Sequence, residues 1–168
     1  MFRKYRHNYR RKHPRKLGHS EIQKLFGNSY EHYIAELMRA DCWDVFERNS
    51  LGYEDQGLDL TASRGGAVCY VQCKAYGHDK FLHENIIDQL YGAAAYQIGP
   101  AQMAGADIRL YTSGIMTEAA IKHAEKLDVQ VLSVPIPDDW VRDTYYATDL
   151  NGLTKKVAQI DPSDFKAH

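Results

Sequence analysis

The chain has 168 residues, of which 44% are hydrophobic, and its formal net charge is −1 at pH 7. This length is enough to bury one sizeable core, so we expect one globular domain. We find neither the roughly 18 consecutive apolar residues of a membrane span nor the apolar stretch of a secretory signal, which predicts no membrane contact. Three cysteines without framework spacing favour a reducing compartment, so we expect a cytoplasmic protein.

The charge is distributed unevenly along the chain. The first 16 residues contain eight basic and no acidic side chains, whereas acidic residues outnumber basic ones in the rest. Such a block displaces counterions from a polyanion, so we predict that residues 1–19 form a basic arm that binds nucleic acid. The alternative is a solvated tail that only keeps the protein soluble. The basic side chains are those of Arg3, Lys4, Arg6, Arg10, Arg11, Lys12, Arg15 and Lys16.

Beyond the arm, apolar spacing predicts a core over residues 20–137 and leaves 138–168 as a weakly patterned C-terminal extension. The first helical turn is expected to stop at Gly27, and Ser29 then caps a longer helix. After the short helical turn at 20–26, the predicted helices cover 30–40, 84–98 and 118–127, and the predicted strands cover 43–48, 58–62, 69–74, 108–112 and 129–134. Their order, α-β-β-β-α-β-α-β, predicts an α/β fold in which helices flank a mixed β-sheet.

Residues 59–74 are the most informative segment, because they predict two strands joined by a glycine turn at 64–66. Alternation along paired strands places a carboxylate, an amide and an ammonium on one polar face, which suits a divalent metal and a phosphate. The alternative is a solvated ion pair between Asp59 and Lys74. The polar face comprises Asp59, Gln72 and Lys74, and the apolar face comprises Leu58, Leu60, Ala62, Cys69, Val71 and Cys73.

A family pattern runs through five segments of the chain. They are Gly27–Leu37, Asp55–Leu60, Val71–Tyr76, Leu90–Ala93 and Tyr111–Ala120. In this order they resemble the Mrr-type restriction endonucleases, a branch of the PD-(D/E)xK nuclease superfamily. The resemblance implies a restriction-endonuclease-like core and metal-dependent hydrolysis of DNA phosphodiester bonds.

The resemblance also implies a role for each matching polar residue. Asp59 is the metal-binding aspartate, Lys74 is the motif lysine, and Gln72 takes the position usually held by Asp or Glu. Glu31 matches the helix glutamate that completes such sites, and Asp55 matches a loop acid. The residues themselves leave two alternatives, because Glu31 suits the positive end of its helix and Asp55 suits turn geometry.

The implied cofactor is Mg²⁺, with Mn²⁺ as a substitute, because hard cations prefer oxygen ligands. The implied ligands are Asp59, Gln72, Glu31 and the carbonyl oxygen of Cys73. A bound cation lowers the pKa of a coordinated water and neutralises charge on the scissile phosphate, while Lys74 stabilises the transition state. The implied catalytic residues are Asp59, Gln72, Lys74 and Glu31.

The leading hypothesis is therefore a metal-dependent endonuclease for double-stranded DNA, an Mrr-like restriction or defence enzyme. Because a duplex has two strands to cut, we expect a homodimer. One alternative is a non-catalytic nucleic-acid-binding module in which the neutral Gln72 weakens the metal site. Others are a structure-selective repair or junction nuclease and an RNA-directed nuclease. On helix 84–98 we expect Tyr96 to pack against the sheet and Gln89 to be solvated rather than to face the site.

Overall fold

The computed structural model describes residues 19–48, 57–76 and 80–137. Residues 1–18 of the predicted basic arm, the loop acid Asp55 and the predicted extension 138–168 lie outside these ranges. Within them, none of the helices is long and apolar enough to cross a membrane.

Helices and strands alternate along the described chain. The helices are α1 (His19–Ala40), α2 (Glu84–Ile98) and α3 (Glu118–Lys126), and a 3₁₀ turn lies at Pro100–Gln102. The strands are β1 (Asp44–Glu47), β2 (Leu60–Arg64), β3 (Ala67–Lys74), β4 (Phe81–Leu82), β5 (Asp107–Thr112), β6 (Ile115–Met116) and β7 (Val129–Ser133).

Five strands form one mixed sheet in the order β1-β2-β3-β5-β7. The first three are an antiparallel meander, and β3, β5 and β7 are parallel to one another. Parallel neighbours need a crossover, which α2 provides between β3 and β5 and α3 provides between β5 and β7. The predicted α/β fold with a mixed sheet flanked by helices is confirmed. Strands β4 and β6 form a separate parallel pair of two residues each, too short to give a sequence pattern.

Two apolar clusters, one on each face of the sheet, hold the helices in place. On one face α1 packs against β2 and β3, and its cluster includes Ile34, Leu60 and Cys73. On the other face α2 packs against β5, and its cluster includes Leu90 and Leu110. Because side chains alternate along a strand, burial of Cys73 towards α1 directs its neighbours in sequence towards α2. The sheet therefore presents the polar face of β3 to α2.

Helix α1 continues through Gly27, so the predicted stop at this residue is wrong. Gly27 does not adopt a positive φ, and a Cβ at this position would meet no described atom within 4 Å. A glycine inside a helix costs about 1 kcal/mol relative to alanine. The burial of Tyr30 and Ile34 in the α1 cluster, with Phe26 packed against it, outweighs that cost.

Leu58 is also placed differently from the prediction. It packs in the α2 cluster, whereas Leu60 and Ala62 pack in the α1 cluster. Strand β2 begins only at Leu60, and Gly57 just before it has a φ of +83°. The strict alternation that predicts a shared face therefore does not apply to Leu58, which precedes the strand.

Candidate active site

A cleft of about 600 Å³ opens where the start of β2 and the end of β3 face α2. Its lining comprises Gly57, Asp59, Gln72, Lys74, Gln89, Gly92, Ala93 and Tyr96. Three residues of the predicted site, Asp59, Gln72 and Lys74, thus share one cleft. Helix α2 supplies the opposite wall.

Asp59 is fixed by hydrogen bonds at both its backbone and its side chain. Its N–H donates to the Val71 carbonyl and its own carbonyl accepts from the Arg48 N–H, each at 2.9 Å. Its carboxylate oxygen Oδ2 accepts from the Cys73 N–H at 2.6 Å. The residue is only 8% exposed, so these bonds hold the carboxylate in a single place at the cleft.

Gln72 carries the most informative polar atom of the cleft. The residue is 3% exposed, and its amide oxygen Oε1 is screened from water. Among the residues that the structure describes, this oxygen has no hydrogen-bond partner. A buried acceptor left unsatisfied costs about 1–3 kcal/mol, and such atoms call for an explanation. Together with the Asp59 carboxylate, it offers the hard oxygen donors that Mg²⁺ prefers, so these residues fit a divalent cation.

Lys74 is the last residue of β3, and residues at the end of β5 fix its position. Its carbonyl accepts from the Ser113 N–H at 3.2 Å and from the Thr112 hydroxyl at 3.0 Å. The same hydroxyl accepts from the Gly114 N–H at 3.0 Å. A Cβ on Gly114 would overlap the Leu82 side chain, so this close crossing requires glycine. The segment 111–120 therefore fixes the point from which the Lys74 side chain enters the cleft.

The Cys73 side chain lies on the opposite side of β3 from the cleft. Burial raises the pKa of its thiol well above the usual value, the carboxylates of Asp59 and Glu31 raise it further, and Lys74 opposes them. The thiol therefore stays protonated, which leaves the backbone carbonyl as the only metal ligand that Cys73 could offer.

Glu31 is placed on a different element from the three cleft residues. It lies on α1, close enough for its charge to act on the Cys73 thiol, and it is half-buried. The described residues that line the cleft do not include Glu31. The structure thus brings Asp59, Gln72 and Lys74 together and keeps Glu31 on the helix that packs on the other face of β3.

The sequence interpretation missed most of the α2 wall. Tyr96 is 74% exposed and lines the cleft, so the prediction that it packs against the sheet is wrong. Gln89 is exposed as expected, but it also faces the cleft. Together with Gly92 and Ala93, these residues follow the i, i+3, i+4, i+7 spacing of one helical stripe. That spacing is visible in the sequence, but nothing in the sequence indicates that the stripe faces Asp59.

Gly57 forms the part of the cleft next to Asp59. Its φ of +83° lies in the left-handed region, which glycine adopts without strain. A Cβ here would also lie 3.1 Å from the Ala93 Cβ, tighter than ordinary contacts. Glycine is therefore required twice, for the turn into β2 and for the close approach of α2.

Arg48 links the segment after β1 to both Asp59 and α2. Besides its backbone bond to Asp59, its Nη2 donates to the Gln97 side chain on α2 at 2.9 Å. Its Nε and Nη1 are screened from water and have no hydrogen-bond partner in the described part of the chain. The backbone of Arg48 thus bonds to that of Asp59, and its guanidinium bonds to the C-terminal half of α2.

A second group of residues able to bind a metal, His32, Glu36 and Glu47, lies on α1 and β1. The Arg39 guanidinium already bridges the two glutamates, and the His32 ring pairs with Glu47 at 2.9 Å. Opposite charges within the group therefore compensate one another. This arrangement is an ion-pair network that joins α1 to β1 rather than a metal centre.

One of the similar solved structures supports the fold. A protein of unknown function, AF1548, superimposes with a TM-score of 0.51 at 13% identity, over 79% of this chain and 95% of that chain. A repair endonuclease from Pyrococcus abyssi gives a TM-score of 0.44 at 15% identity, over 73% of this chain. The MspJI restriction endonuclease in complex with a 27-mer oligonucleotide gives 0.46 at 14% identity, over 86%. The chain spans 49% and 38%, respectively, of these two endonucleases.

Comparison of sequences gives one positive result. None of the curated proteins matches the chain significantly. A family model described as a restriction endonuclease, Mrr_cat, matches residues 22–134. This range is more than half of the chain, and it contains every residue that lines the cleft. The chain therefore belongs to the Mrr_cat family of restriction endonucleases.

Proposed function

We propose that this chain is a divalent-metal-dependent endonuclease that hydrolyses phosphodiester bonds in double-stranded DNA, with the cleft as its active site. The observation that carries the proposal is the buried amide oxygen of Gln72, which has no hydrogen-bond partner among the described residues and shares the cleft with the Asp59 carboxylate. The Lys74 amine in the same cleft supports phosphate chemistry. Membership of a restriction endonuclease family supports DNA as the substrate.

Mg²⁺ is the proposed cation, and Mn²⁺ is expected to replace it. The Asp59 carboxylate, Gln72 Oε1 and the Cys73 carbonyl would hold it, and Glu31 would contribute from α1 through a water. When bound, such a cation lowers the pKa of a coordinated water and neutralises charge on the phosphate. Asp59 supplies the negative charge of this set, and its bond from the Cys73 N–H keeps it oriented.

Lys74 is proposed to act on the scissile phosphate. Its ammonium is a compact charge that can orient the attacking water and stabilise the charge that develops on the phosphorus oxygens. The clamp formed by Thr112 and Ser113 fixes the end of β3, so Lys74 needs little reorganisation to act. Preorganisation of this kind is where most of the electrostatic advantage of an active site arises.

The remaining proposals concern DNA binding outside the described residues. The basic residues of 1–19 would contact the sugar-phosphate backbone, because cations there release counterions from DNA.

Two chains would associate so that both strands of a duplex are cut. Asp55 stays a predicted loop acid. Restriction or defence is the proposed role, and repair of unusual DNA structures is the alternative within the same chemistry.

The decisive experiment is a cleavage assay on supercoiled, linear, single-stranded and modified DNA with Mg²⁺, Mn²⁺ or EDTA. We expect cutting with either metal, none with EDTA, and none in Asp59→Ala or Lys74→Ala. The matched controls are Asp44→Ala and Lys122→Ala, which remove the same charges from exposed positions on β1 and α3. The controls should cut as the wild type does.

One observation favours the second candidate, a DNA-binding module without catalysis. Gln72 is neutral, so the strand pair contributes only one carboxylate to the metal site. Salt-sensitive DNA binding with no cutting under any metal would contradict the nuclease proposal and support this module.

A further inference from the structure

Gly92 has no structural reason to be glycine. It lies in the middle of α2, where glycine costs about 0.5–1 kcal/mol relative to alanine. Its φ is not positive, so the backbone does not require it. A Cβ built on Gly92 would meet none of the described atoms within 4 Å, so packing does not require it either. The open space beside it is the cleft.

Two long side chains lie on either side of Gly92 along the helix. Gln89 and Tyr96 both line the cleft and are exposed, and they are seven positions apart, which is about 10.5 Å along the helix axis. Of the residues between them, those that line the cleft are Gly92 and Ala93, whose side chain is small. The α2 wall therefore has a saddle, formed by Gln89, Gly92, Ala93 and Tyr96, opposite Asp59 and its neighbours.

We propose that the substrate strand crosses α2 at this saddle, with its sugar-phosphate backbone in closest contact at Gly92. The inference rests on the proposed function and deepens it by assigning the surface that positions the strand. Absence of a Cβ lets a ligand approach the helix backbone closely, which explains why glycine is kept despite its cost. The Gln89 amide and the Tyr96 hydroxyl are neutral groups of the kind that contact phosphate and sugar without reading base sequence.

The test compares two helix glycines that differ only in their surroundings. Gly92→Ala and Gly92→Leu fill the saddle, whereas Gly27→Ala adds the same methyl group to an interior position of α1 that does not line the cleft. Both alanine variants should keep or raise the melting temperature, because alanine favours helix. DNA affinity is measured by fluorescence anisotropy on a labelled duplex in EDTA at several salt concentrations, and kcat/KM is measured with Mg²⁺.

We expect Gly92→Leu to weaken DNA binding and lower kcat/KM by at least about tenfold, since overpacking commonly costs the 1.4 kcal/mol to which a tenfold change corresponds. Gly92→Ala should show a smaller loss in the same direction, and Gly27→Ala should match the wild type. The slope of affinity against salt should not change, because no cationic contact is removed.

Wild-type affinity and kcat/KM in both Gly92 variants would overturn the inference while leaving the nuclease proposal intact. If the wild type cut no DNA under any metal, the nuclease proposal would fail. A loss of DNA affinity confined to the Gly92 variants would in that case still support the saddle as a strand-binding surface. A changed salt slope in Gly92→Leu would also count against the saddle, because it would locate the loss at charged contacts elsewhere.

Discussion

The two faces of the five-stranded sheet differ in how their buried and partly buried polar side chains are satisfied. On the α1 face, Arg39 bonds to Glu36 and Glu47, and His32 pairs with Glu47. On the α2 face, Gln72 Oε1 is buried without a partner in the described part of the chain. A satisfied network joins elements and adds stability, whereas an unsatisfied buried atom costs stability. The α1 face is therefore arranged for folding, and the α2 face keeps a polar atom that folding alone does not need.

The contrast predicts opposite effects for polar-to-apolar substitutions on the two faces. Gln72→Leu removes the unsatisfied oxygen at similar volume, so we expect an unchanged or higher melting temperature. The same change removes a proposed metal ligand, so the cleavage rate should fall by at least about 100-fold. Thermal melts and cleavage assays on the same preparation measure both effects. Glu47→Leu, on the other face, should lower the melting temperature and leave cleavage of the folded fraction unchanged.

Gln72→Glu sharpens the same comparison. It adds a second carboxylate to the strand pair, so half-maximal cleavage should need less Mg²⁺, by about tenfold. Gln89→Glu is the control, because it adds the same charge to the opposite wall of the cleft. An equal gain in both variants would mean that the general potential of the cleft, rather than ligation at position 72, controls metal binding.

Gly57→Ala should have the largest effect on stability. Alanine there must adopt a φ near +83° and place its Cβ 3.1 Å from Ala93, so strain and overpacking add to roughly 2–4 kcal/mol. Gly65→Ala is the control, since Gly65 has a φ of +58° but no described atom within 4 Å of an added Cβ. Gly65→Ala should lower the free energy of unfolding only by the backbone strain, about 1 kcal/mol. Urea unfolding measures the loss of stability in both variants. Equal losses would show that contact with α2 adds nothing to the cost at Gly57.

Local patterns predicted most of the fold. The structure gives α2 the bounds 84–98, as predicted, and α3 begins at the predicted residue 118, where the Thr117 hydroxyl accepts from the Ala120 N–H at 3.2 Å. These features depend on neighbouring residues alone. The errors at Gly27 and Leu58 arose where tertiary packing outweighed a local preference.

The candidate site was predictable only in part, for a similar reason. The strand period places Gln72 and Lys74 on one face of β3, and Asp59, directly before β2, lines the same cleft. The residues of the α2 wall reach the site through the crossover between β3 and β5. No rule of residue spacing specifies which side of that helix faces which strand. Tyr96 therefore looked like a packing residue although it is 74% exposed at the cleft.

The smallest expected effect is a pH dependence of stability from the α1 face. The hydrogen bond to Glu47 raises the pKa of His32 above 6.5, against the opposing effect of burial. The stability that His32 contributes is therefore complete below pH 6.5 and is lost as the pH rises through the raised value. The bond to His32 lowers the pKa of Glu47 from 4.5, so the contribution of Glu47 is present above pH 4.5 and is lost as the pH falls.

The pair should thus stabilise the fold most between pH 4.5 and 6.5, and the free energy of unfolding should decline above that window. Urea unfolding at several pH values measures the decline, which His32→Gln should abolish. His123→Gln is the control, because His123 also pairs with a carboxylate, that of Asp88, which is more exposed than Glu47. If the free energy of unfolding of His32→Gln declined with pH as much as that of the wild type, another group would be responsible for the decline. The α1 network would then contribute to stability through Arg39 and its glutamates alone.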